Sequence, residues 1–200
     1  MSTTRKMTRT MRKLATTYAV GIGIAAGTLL SVPGMATAAD AIKIGEINHY
    51  KRMAAFAEPY KKGLEMGLAE VNDAGGVLGR PLEFIFRDDQ GKPGEAIKIA
   101  EELVTRDEVA MLTGTILSNI GLAISSFAAE KKVLYLAAEP LADSLVWEKG
   151  NEYTFRLRAS TYMQAAMLAE AAAKTDAVKF ATIAPNYACL LYTSPSPRDS

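Results

Sequence analysis

Between Ile42 and Leu136 the chain alternates short apolar, β-branched runs with longer stretches whose apolar residues recur at helical spacing. That alternation constrains the fold more than anything else in the sequence. The extended runs are Ile42–Ile47, Leu82–Phe86, Val109–Leu112 and Val133–Leu136. The first helical stretch opens at Glu58-Pro59 and carries Tyr60, Leu64, Leu68 and Val71 on one face. Gly63 and Gly67, one turn apart, would let that helix approach a sheet closely, and Asn72 to Gly76 stops it. The second turns inward with Ala96, Ile97, Ala100, Leu103 and Val104, and the third with Ile120, Ala123, Ile124, Phe127 and Ala128. A β-α-β-α-β-α-β order predicts an α/β fold with a doubly wound, Rossmann-like parallel sheet, whose ligands meet the carboxyl ends of the strands.

One of those strand ends has a composition suited to a ligand. In Met111 to Asn119 an apolar run ends in Thr113-Gly114-Thr115, and Ser118-Asn119 precedes the helical segment from Ile120. A strand, a short turn and a capped helix start are expected there. The first turn of a helix offers unpaired N–H groups and a positive partial charge, which suit a carboxylate or phosphate. An ordinary βα connection has the same appearance, so the stretch alone leaves both readings open.

Beyond Leu136 the pattern changes. Tyr153–Arg158 is a further extended run, Thr161 and Gln164 have capping-box spacing at the head of an Ala-rich helix, Met163–Ala173, and Val178–Ile183 starts a fresh strand. A new alternation after a crossing strand marks the start of a second lobe.

The two ends differ in character from the middle. Met1 to Lys13 holds five basic residues and no acidic one, and an uncharged run from Leu14 to Ala39 follows, broken by Pro33-Gly34 and closing on small residues from Ala36 to Ala39. This is the layout of a cleaved secretory signal peptide, 1–39, and places the mature protein in the periplasm. Its Gly21-Ile22-Gly23 run follows no strand and is no dinucleotide loop. Removing those five from the chain's 23 basic residues leaves 18 against 22 acidic ones. With that balance and no basic patch interleaved with aromatics, nucleic acid is not an expected partner. At the other end Cys189 to Ser200 has no apolar periodicity and resembles the translation of a transposase sequencing adapter, so 189–200 is expected to replace the natural continuation.

Signals of catalysis are weak. Asp88-Asp89 reads as a strand end more readily than as an acid–base or metal pair. His49, the single histidine, has no second ligand in view and is expected at the mouth of the cleft, as neither metal ligand nor base. Ser118 lacks a nucleophile-elbow sequence. The Ala and Met stripe of Met163–Ala173 reads as core. Neither a catalytic residue, nor a metal, nor a cofactor is expected.

Several ordered stretches resemble one family. They are Ile42-Lys43-Ile44-Gly45, Val71 to Pro81, Arg87 to Pro93, Leu112 to Thr115, and Gly150 to Arg156. Over Ile42 to about Ala188 the chain is similar to type I periplasmic solute-binding proteins of ABC importers, the branched-chain amino-acid class. The resemblance implies two doubly wound lobes, here a first lobe at 40–157 and the truncated start of a second at 158–188. It also implies a small solute, an amino acid or related carboxylate, captured between the lobes and handed to a membrane permease. By the same resemblance the carboxylate cradle falls on Ser118 and the backbone around Leu117 and Asn119. A second contact loop falls on Glu139 and Pro140, and an aromatic contact falls on Phe56; Tyr50, in a first loop that departs from the family's usual turn, is expected to pack on the solute's side chain beside it. The family's lobe-closing tyrosine aligns with Cys189, after Asn186-Tyr187-Ala188. Two other functions remain to be weighed: a ligand-sensing domain of the same fold in a receptor or regulator, and an exported α/β enzyme fragment.

Overall fold

The computed structural model describes residues 40–181, 183 and 187–189; the expected leader, 1–39, and most of the expected adapter-like tail, 190–200, lie outside them. Five parallel strands form one sheet in the order β2-β1-β3-β4-β5: β1 (Ile42–Asn48), β2 (Leu82–Asp88), β3 (Met111–Gly114), β4 (Leu134–Ala137) and β5 (Thr154–Arg156). The helices are α1 (Ala54–Asp73), α2 (Pro93–Thr105), α3 (Ser118–Lys131) and α4 (Thr161–Ala172), with a short 3₁₀ turn at Asp143–Leu145. From β1 the chain steps to β2 on one side and then to β3 on the other. The topological switch therefore lies at the carboxyl ends of β1 and β3, the place where such sheets bind ligands.

Alternation along the strands gives the sheet two unlike faces. On one, Ile47, Leu112 and Tyr135 meet α2 and α3 through Ala96, Ala100, Leu103, Ile120, Ile124 and Ala128, all fully buried. On the other, Ile44 and Glu46 of β1 stand beside Phe84 and Phe86 of β2 and Met111 and Thr113 of β3. Helix α1 lies on that second face, its Lys61 ammonium 5.0 Å from the centre of the Phe86 ring.

Several boundaries differ from expectation for identifiable reasons. Helix α1 starts at Ala54, ahead of Glu58, because the Met53 carbonyl accepts from both Phe56 and Ala57 amides and closes a first turn before Pro59, which sits inside the helix. Gly63 and Gly67 do not seat α1 on the sheet: nothing lies within 4 Å of where their Cβ atoms would be, and only Ala57 of this helix is buried. Ile97, expected inward, is 41% exposed, since Ala96, Ile99, Ala100 and Leu103 already fill the inner stripe of α2. Strand β3 begins two residues later than the apolar run and takes in Thr113 and Gly114. The extended run at 153–158 supplies β5, which pairs in parallel with β4 and so completes the first sheet. Helix α4 is capped by Ser160, whose Oγ accepts the Met163 amide at 3.3 Å; the Thr161–Gln164 capping box does not form. The Met163–Ala173 stripe, read as core, is not: no residue of α4 is buried. Residues 178–181 form no strand, and Val178 and Ile183 are fully or almost fully exposed. Among the described residues no helix is long and apolar enough to cross a membrane.

Candidate functional site

Polar residues that would be costly to bury without a purpose gather at the carboxyl ends of β1, β3 and β4. Asn48, fully buried at the end of β1, connects the three. Its Oδ1 accepts the His49 amide at 2.9 Å and the Ile116 amide at 3.1 Å, and its Nδ2 donates to Glu139 Oε1 at 2.8 Å. One side chain therefore fixes the turn into α3 and the acidic residue of the loop after β4.

The turn itself is strained. Gly114 has φ +101°, and a Cβ there would stand 2.5 Å from the Ile47 carbonyl oxygen and 2.6 Å from Glu46 Oε1, so only glycine fits. Thr115 follows with φ +61°, a conformation that is a true outlier for a buried β-branched residue. It is held by its amide on the Ile47 carbonyl at 2.7 Å and by a hydroxyl contact to the Tyr135 phenol. Strain maintained in this way clusters at functional sites.

Helix α3 begins at Ser118. Leu117 occupies the N-cap position with no side-chain cap, so the expected capping by Ser118 or Asn119 is replaced by another arrangement. The Ser118 hydroxyl, buried, accepts the Leu141 and Ala142 amides at 3.1 and 3.2 Å and ties the loop after β4 to the helix. Pro140 of that loop packs on the first turn of α3, where a Cβ at Gly121 would meet its Cγ at 2.6 Å. The Tyr187 hydroxyl reaches the start of α3, donating to Asn119 Oδ1 at 2.6 Å and standing 3.5 Å from the Asn119 amide. A polar oxygen is thus accommodated where the resemblance puts a ligand carboxylate.

Of the seven expected contact residues, Leu117, Ser118, Asn119, Glu139 and Pro140 come together here. Tyr50 stands beside them, its phenol donating to Glu46 Oε2 and its ring 6.3 Å from that of Phe86. Phe56 lies in the first turn of α1 and is 63% exposed.

Glu46, Asn48 and Tyr60 were not singled out from the sequence. Glu46 is completely buried, Oε1 has no hydrogen-bond partner among the described residues, and burial pushes its carboxyl up to about 8 from the ordinary 4.5, with Glu139 and Asp89 adding repulsion against hydrogen bonds from Tyr50 and Asn48. Burial and the Glu46 carboxyl likewise push the Tyr50 and Tyr60 phenols well above their ordinary range. A signal was available: along β1 the face carrying Ile42 and Ile44 turns to Glu46 and Asn48, a switch from apolar to polar at the carboxyl end. The histidine reading also changes. Folding brings Asp88 and Asp89 beside His49, so the ring is not isolated, and it is 5% exposed, not an open residue at a cleft mouth.

Taken together, a doubly wound parallel sheet with a strained, polar, helix-headed carboxyl edge defines one lobe of a small-molecule binding fold. Comparison with known proteins makes the class specific: the chain belongs to the periplasmic binding protein family, whose model matches residues 51–190. A relative named Leu/Ile/Val-binding protein homolog 3, from Brucella melitensis, is 30% identical over 118 residues, 59% of this chain and 32% of the relative. The branched-chain amino-acid transporter substrate-binding protein of Streptococcus pneumoniae, solved with isoleucine, is 27% identical with a TM-score of 0.56, over 60% of this chain and 34% of that one. A solute-binding protein of an ABC transporter from R. palustris, solved with 4-hydroxybenzoate, is 25% identical with a TM-score of 0.58, over 66% and 36%. The chain thus spans about a third of the length of these relatives.

Proposed function

We propose that this chain is the first lobe of an exported solute-binding component of an ABC importer, made with a cleaved signal peptide at 1–39 and working in the periplasm. It captures an amino acid or another small carboxylate against a second lobe that begins near residue 158, and the closed form delivers the solute to a membrane permease. Closure is a shift toward a state the solute binds better, with no chemical step.

The observation that carries the reading is the start of α3 at the sheet's switch point, where the Asn119 amide faces the Tyr187 hydroxyl oxygen at 3.5 Å and that hydroxyl donates to Asn119 Oδ1. Amides at a helix start, reached through a strained Gly114-Thr115 turn, suit a carboxylate. The relatives support the same class, since isoleucine and 4-hydroxybenzoate both carry one. In this reading Ser118 holds the loop that completes the cradle, and Asn119 and the Leu117 backbone line it. Glu139 and Pro140 bound it on the β4 side, and Tyr50 and Phe56 offer aromatic surface to the solute's side chain.

Calorimetric titration of the full-length parent, with its second lobe present, against leucine, isoleucine and 4-hydroxybenzoate, each beside its methyl ester, tests the proposal. The free acids should bind and the esters should lose most of that affinity, because an ester cannot accept charge-assisted hydrogen bonds. Equal affinity for acid and ester would remove the carboxylate from the reading. No binding by any of them would remove both solute classes.

A further inference from the structure

Three side chains meet at the carboxyl ends of β1 and β2, outside the Ser118 and Glu139 cluster. Asn48 and Asp88 are register partners at the ends of these strands, so the residues that follow them, His49 and Asp89, leave the sheet side by side. His49 Nδ1 stands 3.4 Å from Asp89 Oδ1 and 3.9 Å from Asp88 Oδ1. One donor atom from each of the three residues falls within 4.8 Å of the others.

The cluster is buried and unsatisfied. His49 and Asp89 are 5% and 0% exposed, and His49 Nδ1 and Asp89 Oδ2 have no hydrogen-bond partner among the described residues. A direct N–H···O bond would bring nitrogen and oxygen to about 2.7–3.2 Å, closer than either contact here. Two atoms bound to one tetrahedral zinc ion at about 2.0–2.2 Å stand roughly 3.3–3.6 Å apart, which matches the His49–Asp89 separation and falls just short of the His49–Asp88 one.

The carboxylates are also held in place. Asp89 Oδ1 accepts the Gly91 amide at 2.7 Å, and Asp88 accepts the Gln90 amide at 2.8 Å and the Lys51 amide at 3.2 Å. Each keeps lone pairs for a cation. Gly91 leaves space for the imidazole, which a Cβ there would crowd at 3.0 Å.

We propose that His49, Asp88 and Asp89 form a binding site for a divalent transition-metal ion of the zinc type, ligated by His49 Nδ1 and one oxygen from each carboxylate. One nitrogen and two oxygens form a borderline donor set that suits such an ion, and the partly exposed Asp88 leaves the fourth position to solvent. Two carboxylates neutralise the dication, which in turn offsets the cost of burying Asp89, whose carboxyl burial pushes up. The site communicates with the α3 turn through Asn48, which accepts both the His49 and the Ile116 amides.

The test uses the full chain, purified without a histidine tag and stripped with a chelator, titrated with zinc by calorimetry and with cobalt by visible absorption. One equivalent of zinc should bind, and cobalt should develop ligand-field bands. His49→Ala and the isosteric Asp88→Asn should each loosen zinc by at least about 100-fold, beyond the roughly 10–100-fold of a residue that only orients a ligand. Melting by circular dichroism identifies any variant that has unfolded, and Asp88→Asn, at a partly exposed position that keeps its shape, serves if His49→Ala does not fold. Cys189→Ser should bind as the parent does. No zinc binding, binding that survives both ligand changes, or binding lost only with Cys189→Ser would overturn the proposal.

Discussion

The two faces of the sheet follow different rules. Toward α2 and α3 the inward positions are mostly apolar and closed to water, and the one buried phenol, that of Tyr135, is paired with the Thr115 hydroxyl. Toward α1, from the same strands, Glu46 lies buried among Tyr50, Tyr60 and Thr113, while Leu134 and Phe155 farther along remain 41% and 55% exposed. Strand alternation assigns residues to faces in both cases. The first face spends them on stability, and the second holds polar groups whose burial is costly and whose positions suit recognition. The comparison teaches that the stability and the binding chemistry of this lobe are separable by mutation.

The largest effect should come from the closed face. Leu103→Ala removes a fully buried side chain and should cost about 2–5 kcal/mol in urea unfolding, without altering pH dependence. A loss below about 1 kcal/mol would mean that this face is not the core.

On the other face the expected signature is pH dependence. Glu46 keeps its proton to about pH 8 in the folded chain and releases it near 4.5 when unfolded. Its raised pKa therefore stabilises the fold fully below about pH 4.5, and that stability is lost as pH rises to about 8. At about 1.4 kcal/mol for each unit between the two values, a few kcal/mol should disappear across that window. Glu46→Gln can still accept from Tyr50 and should flatten the slope. A slope unchanged in that variant would assign the titration elsewhere.

Ser118 joins the two behaviours. Ser118→Ala strands the Leu141 and Ala142 amides and should lower stability by about 1–3 kcal/mol. Carboxylate affinity should fall by a similar amount, because the same hydroxyl positions the loop beside the cradle. Loss of stability with an unchanged dissociation constant would confine Ser118 to the scaffold. The smallest effect is expected on open α4, where Glu170→Ala breaks an exposed pair with Lys174 and should leave the melting temperature unchanged within error.

Much of this fold is legible in local sequence. The three βα units and fourth strand up to Leu136 and the α2 and α3 stripes follow from periodicity and turn chemistry, which act over a few residues. Ser118 and Glu139 were named by the family resemblance, and the fold sets them in neighbouring loops at the carboxyl edge of the sheet. What stayed hidden were relations between elements. Val178–Ile183 carries a strand pattern, but its described residues 178–181 form no strand, since pairing needs a neighbour that pattern alone cannot supply.

The sequence by itself determined the strand and helix order, the parallel class and the family, because hydrophobic period and ordered motifs are written along the chain. Only the tertiary structure decided that Tyr153–Arg158 contributes β5 to the first sheet, that Asn48 reaches both Ile116 and Glu139, and that His49 stands beside Asp88 and Asp89. These contacts join residues about 19 to 91 positions apart. Strand register, not local propensity, brings them together.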